Sequence, residues 1–476
     1  MPKDGSKPVV YWNRRDFRLL DNEALHAAAR SGRPVIPVHF LSGWSHEHPW
    51  TGAKRQQFLC DCLASWARNL ESIGGHLILR HGDPVAGLKV LLRQSGATEL
   101  HYQAAPDPFG KSVEGRVEQV CRDLGVAVHR HFEVALHGPD EVLTKGGTPF
   151  RVYTPYSRAW LALDKGRAPL GKPKPLQTPS DIASEPLPGL DHWGLKALPS
   201  GTHLLEAGER AARKRLKTAL EERLGAYTAT RDFPALDGTS RLSQDLRFGL
   251  LSIRSVYAAA LEAAQQAKPA QRANISKFIG ELIWREFYFA ILHHWPEVLD
   301  HEFNAEWRGL AWDEPGENFE RWKNGTTGFP IVDSGMRELV ATGHMHNRVR
   351  MITAMFLTKD LHIDWKLGES FFLQHLIDGE IASNNGGWQW SAGTGADAAP
   401  YFRIQNPWSQ SARYDAKGDY IRRWIPELAK VAADKLHAPP ADGKPLAPGY
   451  PLPCVDHKTE RERTLAIFKR HRAERR

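Results

Sequence analysis

Short apolar runs alternate with helical patterns over the first third of the chain. The apolar positions from Phe58 to Leu70 recur every three to four residues, which predicts an amphipathic helix. Five runs rich in β-branched, aromatic and aliphatic residues predict strands: Val9–Trp12, Val35–Phe40, His76–Leu79, Glu99–Tyr102 and Val126–His129. Strands separated by helices imply a parallel sheet with right-handed crossovers. Residues 7–135 are therefore predicted to form a doubly wound α/β domain.

A proline-rich segment separates this domain from the rest of the chain. Seven prolines fall between Pro169 and Pro199, which excludes a helix or a central strand there. We therefore predict an interdomain connector over 136–205. Beyond it, six segments with the helical period predict helices: Glu206–Ala226, Ile253–Gln266, Ile275–His293, Ile331–Thr342, Arg348–Leu361 and Trp365–Ile377. Residues 206–476 are predicted to form a mostly α-helical domain.

The composition is that of a globular protein with more than one core. The chain has 476 residues, of which 41% are hydrophobic and 25% charged, and single cores stop growing near ~250–300 residues. The sequence has no apolar run of ~18 residues and no signal-peptide pattern at its start, which disfavours membrane spanning and secretion. Its four cysteines include no C-x-x-C pair. We therefore expect no disulfide framework, no metal site and a reducing, cytoplasmic compartment.

Charge and tryptophan content narrow the functional classes. The formal net charge of +8 permits a polyanionic partner without requiring one. Ten of the sixteen tryptophans fall between Trp284 and Trp424, although each buried indole needs a partner for its N–H group. Such a cluster indicates stacking surfaces, electron transfer or both, whereas core packing is enough to explain any single member.

Two motifs in the helical half carry chemistry. Asp237–Ser243 combines a glycine, three hydroxyls and an arginine at a turn, a set that suits a pyrophosphate, although an ordinary capped turn has the same composition. Leu376–Trp390 places two acids around a glycine, then Asn-Asn-Gly-Gly and two tryptophans. Acid and amide groups in that order suit the edge of a heterocycle with alternating donors and acceptors, such as an isoalloxazine.

Five motifs resemble those of the photolyase/cryptochrome family and occur in the same order. They are Arg14–Asn22, Thr239–Ser243, Gly280–Tyr288, Met345–Met351 and Asn384–Trp390, and the resemblance extends over essentially the whole chain. Within the family, the chain is most similar to DNA photolyases that repair cyclobutane pyrimidine dimers, of the microbial class I type. The family implies FAD, active as FADH⁻, inside the helical domain.

The resemblance also implies which residues bind the cofactor. Arg350 and Asp378 would pair beside the flavin ring, and Asn384 would face flavin N5 and favour the reduced, anionic state. Phe278 stands where close relatives have a tryptophan. The full cofactor set is Tyr227, Thr239, Ser240, Arg241, Leu242, Ser243, Phe278, Arg285, Arg350, Asp378, Glu380 and Asn384.

The substrate site implied by the family is a pocket for a flipped-out pyrimidine dimer. It would be formed by Glu281, Trp284, Asn347, Met351 and Trp390. Two indoles can enclose a dimer whose bases are no longer flat, while the acid and the amide hydrogen-bond its polar edges. The implied reaction transfers one electron from excited FADH⁻ to the dimer, splits the cyclobutane bonds and returns the electron, with no metal.

Two further sets follow from the same resemblance. Arg231, Arg285, Arg348 and Gln410 would grip the phosphates of damaged DNA without reading its sequence. Trp312, Trp365 and Trp388 would carry electrons from the surface to oxidised flavin. The protein is expected to act as a monomer.

Three alternative functions compete with dimer repair. A cryptochrome would share the fold and FAD, but Glu281, Asn347 and Met351 are the residue types of dimer-repair enzymes, and the chain ends soon after the family core. A (6-4) photolyase would place a histidine in the pocket, a role that His344 and His346 do not fill. A flavoprotein that only binds DNA would show no activity under illumination.

The α/β domain of this family often carries a second, antenna chromophore. The segment Ala105–Gly110 departs from the Asn-Glu pair associated with folate, which argues against folate. Asp107 with Lys54 and Arg55 would suit another chromophore, whose identity the sequence leaves open.

Overall fold

The computed structural model describes residues 7–398 and 400–475. Its first part is a five-stranded sheet in the order β3-β2-β1-β4-β5, in which each pair of neighbouring strands is parallel. The strands are Val9–Trp12 (β1), Val35–Leu41 (β2), Ile78–His81 (β3), Glu99–Gln103 (β4) and Ala127–His131 (β5). The doubly wound sheet predicted from the sequence is confirmed, with strand ends displaced by at most two residues.

Alternation along the strands explains why both faces of this sheet are covered. Val9 and Tyr11 of β1 belong to one hydrophobic cluster, while Val10 and Trp12 belong to another. Successive side chains of a strand point to opposite faces, so a run that is apolar throughout needs helices on both sides. The parallel arrangement supplies them through its crossovers.

Helices make up most of the remaining structure, as predicted. Those before residue 206 are Glu23–Arg30 (α1), Ala53–Glu71 (α2), Pro84–Ser95 (α3), Pro108–Leu124 (α4) and Tyr153–Ala162 (α5). Those after it are Glu209–Thr218 (α6), Tyr227–Thr230 (α7), Ser243–Arg247 (α8), Ile253–Gln266 (α9), Pro269–His294 (α10), Glu317–Asn324 (α11), Pro330–Thr342 (α12), Asn347–Met355 (α13), Trp365–His375 (α14), Ile381–Ala392 (α15), Pro407–Tyr414 (α16), Asp419–Trp424 (α17) and His457–Glu474 (α18).

Two of the predicted helices change their winding before they end. The segment predicted as Glu206–Ala226 is α-helical only to Thr218, and continues as a π-helical turn over Ala219–Arg223. Likewise α13 ends at Met355 and a π-helical turn follows over Phe356–Asp360. The apolar period of a π turn differs little from that of an α-helix over five residues, so the pattern does not separate them.

The connector is fixed to both parts of the molecule. In α5, Trp160 donates its indole N–H to the Glu286 carboxylate of α10 at 2.6 Å, and the same carboxylate accepts the backbone N–H groups of Leu136 and His137. One hydrophobic cluster runs from Val9 in β1 to residues of α10 and α15. The division into 7–135, 136–205 and 206–476 therefore stays a prediction, because a core is shared across its boundaries.

Within the described ranges, no helix is both long enough and apolar enough to cross a membrane.

Candidate active site

The loop before α8 has the backbone shape of an anion-binding turn. Arg241 has a φ of +56°, an unusual conformation for a residue with a side chain. At Gly238 a Cβ would lie 2.6 Å from Cβ of Thr230, so only glycine fits there. Leu242 is buried and anchors the loop, whereas Thr239, Ser240 and Ser243 remain accessible. These hydroxyls are available to a phosphate group.

An ion pair lies next to this loop. Arg350 of α13 donates to both Asp378 carboxylate oxygens, at 2.9 and 3.2 Å, and its Nε donates to the Met345 carbonyl. Burial raises the pKa of Asp378, but the Arg350 guanidinium and a hydrogen bond from Ser243 lower it by more, so the pKa lies below its ordinary value. The predicted pair is thus formed, and its aspartate stays ionised at neutral pH.

One face of α15 fits a planar ring. Asn384 and Gly387 are three residues apart and are therefore neighbours on one side of the helix. A Cβ at Gly387 would have open space within 4 Å, although the helix is packed elsewhere. Asn384 donates its side-chain N–H to the Glu369 carbonyl at 3.0 Å, which leaves its amide oxygen as an acceptor. The N5–H of a reduced flavin is a donor of matching character.

Two aromatic residues of the cofactor set pack together as well. Tyr227 and Phe278 are both buried, with ring centroids 6.0 Å apart and planes nearly perpendicular. Phe278 therefore packs on a second residue of the predicted cofactor set, and its contact with the cofactor stays a prediction. The residues of the loop, the ion pair and the α15 face together fit the phosphates and the ring of FAD.

Glu380 and Arg285 occupy the junction with the α/β domain. Glu380 pairs with Arg15, which follows β1, at 3.1 Å. Arg285 donates to the Val134 carbonyl and lies over the Phe289 ring. Its guanidinium is thus bonded to the segment that follows β5, and the DNA-gripping role of Arg285 stays a prediction. Arg285 therefore lies on the side of α10 that faces the domain junction.

The substrate residues of α10 and α13 are connected by charged side chains. Arg231 donates to the Glu281 carboxylate at 2.5 Å, and Arg348 donates to Asp232 at 2.8 Å. Asp232 also lies 3.8 Å from Nε of Arg231. Burial lowers the pKa of Arg231, but the Glu281 carboxylate raises it by more, so the pKa lies above its ordinary value. Arg231 is therefore charged.

At its other end, this series of charged side chains reaches the Asn347 amide and the Met351 thioether. The Met351 sulfur lies 3.8 Å from an Arg348 nitrogen and 3.9 Å from the Asn347 amide nitrogen. His346 caps α13 by accepting the Arg348 backbone N–H at 3.2 Å, which fixes how Asn347 enters the helix. Glu281, Asn347 and Met351 are thus brought to one continuous polar surface.

Stacked aromatic rings form one wall of this surface. Trp284 lies one turn after Glu281 on α10 and stacks on Tyr153, with centroids 3.7 Å apart and planes 5° apart. The Tyr153 hydroxyl donates to the Gly280 carbonyl at 2.8 Å, which holds the phenol in place. Trp390 is half-buried on α15, a helix that packs against both α10 and α13. Gln410 is half-exposed on α16.

The three relay tryptophans share one hydrophobic cluster. Trp365 and Trp388 are buried in it, and Trp312 packs against it from a more exposed position. The Trp365 indole N–H donates to the Glu302 carboxylate at 3.2 Å. Trp388 has a further indole neighbour, Trp322, at 6.1 Å between centroids. The order of electron transfer along these rings stays a prediction.

Sequence reasoning missed several residues that shape the site. Tyr153 stands 131 positions before its partner Trp284, and Asp232 joins two arginines from different elements. Glu302 and Trp322 are likewise distant in sequence from the indoles that they contact. No local spacing predicts such contacts, because each is created by the packing of separate helices.

A separate cavity lies where the sheet meets the helical domain. Its volume is about 220 Å³, and its lining includes Arg15, Arg55 and Arg247. Burial and the neighbouring charges of Arg247 and Arg15 lower the pKa of Arg55 to about 9. Burial and Arg15 lower the pKa of Arg247 to about 10. Repulsion among these cations indicates a cavity suited to an anion.

Aromatic side chains surround the mouth of this cavity. Trp44 stacks on His48, with centroids 3.9 Å apart, and lies 5.4 Å from the exposed ring of Phe109. Asp107 lies beside the cavity, because its carboxylate is 3.4 Å from the guanidinium of Arg15, which lines it. Of the three residues predicted to suit a second chromophore, Arg55 lines the cavity and Asp107 lies beside it, whereas Lys54 is half-exposed on α2 and is not part of the lining.

Comparisons with known proteins agree with this geometry. The family model described as DNA photolyase matches residues 9–180, and the one described as FAD binding domain of DNA photolyase matches residues 278–470. The deoxyribodipyrimidine photo-lyase of Agrobacterium fabrum is 39% identical, over 97% of this chain and 97% of that protein.

Solved structures show the same fold over nearly the full length. A class III photolyase from Agrobacterium tumefaciens has a TM-score of 0.91 at 38% identity and covers 99% of this chain and 100% of its own. A cryptochrome from Synechocystis has a TM-score of 0.88 at 28% identity, covering 98% and 100%. The narrower class I assignment finds no support in these comparisons. Over both of its parts, the chain belongs to the DNA photolyase family and carries that family's FAD-binding domain.

Proposed function

We propose that this protein is a light-driven lyase that repairs cyclobutane pyrimidine dimers in DNA with FAD as its cofactor, acting as a cytoplasmic monomer. The observation that carries the proposal is the continuous polar surface from Glu281 through Arg231, Asp232 and Arg348 to Met351 and Asn347. It lies beside the stacked wall of Trp284. A flipped-out lesion needs this combination, namely a ring-stacking wall with donors and acceptors at its edge.

The cofactor supplies one electron to the lesion when it is illuminated. The hydroxyls of Thr239, Ser240 and Ser243 would hold its phosphates, the Arg350–Asp378 pair would lie at its ring, and the Asn384 oxygen would accept a hydrogen bond from N5–H. Gly387 would leave room for the ring against α15.

The protein residues of the substrate pocket would orient the dimer. Trp284, held flat by Tyr153, would stack on one base, and Trp390 would approach from α15. Glu281 would hydrogen-bond a carbonyl or imide edge of the dimer and stabilise the charge that develops there, as donors in an oxyanion hole do. Because Arg231 already pairs with Glu281, the binding of a DNA phosphate near Arg231 would involve Glu281 as well.

The histidines support dimer repair over (6-4) repair. His346 is 6% exposed and turns its Nδ1 to the Arg348 backbone, while His344 pairs with Glu338 at 3.5 Å. Burial lowers the pKa of His346 to about 4, so it would be neutral at pH 7. Nδ1 of each ring is thus bonded within the protein.

An illumination assay with two lesions tests this proposal. Reduced protein is mixed with duplexes that carry either one cyclobutane dimer or one (6-4) photoproduct, and the products are separated by chromatography after blue light or darkness. We expect the dimer to revert to two thymines only in the light, and the (6-4) product to persist. Binding without reversal would favour a receptor, and reversal of only the (6-4) lesion would contradict the proposed specificity.

We further propose that the cavity between the domains holds the antenna chromophore. Its cationic lining and the aromatic rings at its mouth favour a planar, anionic molecule that absorbs near-ultraviolet or blue light. The purified protein should release a second chromophore beside FAD on denaturation. Arg55→Ala should lower its occupancy severalfold. The FAD content of the same sample is measured as well, because Arg55 also lies against Gly379, between Asp378 and Glu380.

A further inference from the structure

Four residues with metal-binding side chains share one face at the edge of the sheet. Glu99 and His101 are two positions apart on β4, and His129 and His131 are two positions apart on β5. The strands are parallel, with His101 opposite His129. Residues at i and i+2 of a strand point to the same face, so all four side chains project together. This group lies outside the flavin, substrate and antenna sites.

The donor atoms of three of these residues lie close together. Oε2 of Glu99 is 3.3 Å from Nε2 of His101 and 3.6 Å from Nε2 of His129, and all three donor atoms fall within 4.8 Å of one another. Around a tetrahedral zinc ion with bonds of about 2.0–2.1 Å, neighbouring donors are separated by about 3.3–3.5 Å. The Glu99–His101 distance of 3.3 Å falls within that range, and the Glu99–His129 distance of 3.6 Å lies just above it.

Neighbouring side chains orient two of the three donors, as groups around a metal site commonly orient its ligands. The other Glu99 oxygen, Oε1, accepts from Arg33 at 2.9 Å, which orients the carboxylate so that Oε2 is turned toward the two histidines. Nδ1 of His101 lies 3.3 Å from Nε2 of His131. With Nε2 on a metal, His101 would carry its proton on Nδ1 and donate it to His131, which would take the place of the carboxylate, carbonyl or water that usually orients a metal-bound imidazole.

Exposure decides how the ion would enter. His101 is buried, with 6% of its side chain accessible, whereas His129 is 46% accessible. The two rings are stacked, with centroids 4.4 Å apart and planes 16° apart. His129 has to tilt out of this stack to direct its lone pair at the ion, and on the exposed side it displaces only water. The same opening leaves room for a water molecule as the fourth ligand.

A second group of this kind, Asp140 with His293 and His294, is less suitable. The Lys111 ammonium lies within hydrogen-bonding distance of Nδ1 of His293 and would repel a cation. Nε2 of His294 lies 3.2 Å from the Pro139 carbonyl. Asp140 is 72% exposed, so its carboxylate is fixed by little else.

We propose that Glu99, His101 and His129 bind one zinc ion, or a related divalent transition metal, with water as fourth ligand and His131 as the residue that orients His101. Two imidazoles and one carboxylate are ligands that zinc accepts readily. The ion would fasten the edge strand β5 to β4, just before the segment whose Val134 carbonyl contacts Arg285. The expectation that the chain has no metal site was drawn from the cysteines alone and stays a prediction, which the titration below tests.

Metal titration of the untagged, FAD-loaded protein tests the proposal. After treatment with a chelator, zinc binding is measured by equilibrium dialysis, and thermal unfolding is followed with and without zinc. We expect one zinc ion per chain and a higher unfolding midpoint in its presence. Glu99→Gln and His129→Ala should abolish both effects, and His131→Ala should weaken binding about 10- to 100-fold.

Two further variants serve as controls. His203→Ala removes an exposed histidine of the connector, and His293→Ala removes a ligand from the second group; both should bind zinc like the unmodified protein. X-ray absorption at the zinc edge should show four nitrogen or oxygen neighbours with two imidazoles. Absence of tight stoichiometric binding, or binding that persists in Glu99→Gln and His129→Ala, would overturn the proposal. Loss of binding in His293→Ala would assign the metal to the other group.

Discussion

At the scale of single residues, the site depends on charges that are already paired within the protein. Glu281 is 31% accessible at its side chain and pairs with Arg231, which is 20% accessible. The lesion must therefore compete for the carboxylate or share it with Arg231. Because the pair stands on the substrate side, away from the Arg350–Asp378 pair, its loss should affect repair and leave the cofactor in place.

Glu281→Ala is expected to lower the quantum yield of dimer splitting while FAD stays bound. Loss of one group that stabilises developing charge costs ~10²–10³ in rate in hydrolases. Here we expect roughly tenfold or less, since the photon supplies part of the driving force. The measurement is the yield per absorbed photon at saturating substrate. Glu262→Ala, an exposed site on α9, is the matched control, and an equal yield in both variants would remove Glu281 from the mechanism.

Trp365 permits a test that separates the relay from repair. Trp365→Phe keeps an apolar ring in the cluster but removes an oxidisable indole, at a cost on the order of 1 kcal/mol in stability. Photoreduction of oxidised FAD should fall steeply, whereas protein reduced beforehand with dithionite should split dimers nearly normally. Glu302→Gln should slow photoreduction less, because it removes only the negative charge beside the indole N–H.

Trp322→Phe serves as the comparison for the relay. Trp322 is a buried indole that contacts Trp388 at 6.1 Å, so it offers another route to Trp388. If Trp365→Phe photoreduces like the unmodified protein and Trp322→Phe does not, the relay passes through Trp322. Loss of repair by pre-reduced Trp365→Phe would mean that the substitution damaged the pocket.

At the scale of elements, a buried lysine joins the π-helical turn after α13 to two helices. The Lys359 ammonium donates to the Ala392 carbonyl at the end of α15, at 2.6 Å, and lies 3.9 Å from the centre of the Phe468 ring of α18. It is 1% exposed. Burial lowers its pKa to about 7 from an ordinary value of 10.5, so folding disfavours its protonated form.

Lys359→Met should therefore change how stability depends on pH. Between pH 7 and pH 10 the unfolded chain keeps the Lys359 proton that the folded chain releases, so the free energy of unfolding rises with pH, by up to about 1.4 kcal/mol per unit. The methionine variant should lack this contribution. The check is chemical denaturation of both proteins at pH 7, 8 and 9. Parallel pH profiles for the two proteins would contradict the assignment.

The elements were predicted more completely than the residues that join them. Ile253–Gln266 and Val9–Trp12 begin and end where the apolar period predicts, because each buries a regular face. The motifs predicted the Arg350–Asp378 pair, since both residues lie in short runs that the family resemblance aligns. Arg285 could not be placed in the same way, because its partner Val134 follows the sheet and only folding brings the two together.

At the scale of the whole molecule, the positive charge must be assigned to surfaces before it explains DNA binding. Arg231 and Arg348 border the substrate residues, whereas Arg285, Arg55 and Arg247 lie at the domain junction. Only the first two of these five are placed to contact a phosphate backbone next to the pocket. The formal net charge of +8 therefore overstates what the binding face contributes.

Salt dependence distinguishes these two groups of arginines. Arg231→Ala and Arg348→Ala should each lower the slope of log K against log salt by roughly 0.9 for a duplex with one dimer. Arg285→Ala should leave that slope unchanged, although it can alter stability. Binding is measured by fluorescence anisotropy at several salt concentrations. A smaller slope in Arg285→Ala than in Arg231→Ala would contradict the placement of Arg285 at the domain junction.

Repair requires that the pocket hold a dimer close enough to the cofactor to accept an electron from it. The fluorescence lifetime of the bound, reduced cofactor reports this transfer, and it is measured with a dimer-containing duplex and with the same duplex undamaged. We expect a shorter lifetime only with the damaged duplex, and a smaller shortening in Trp284→Ala, whose stacking wall is missing. Equal lifetimes with both duplexes, at concentrations that saturate binding, would contradict electron transfer to a dimer held in this pocket.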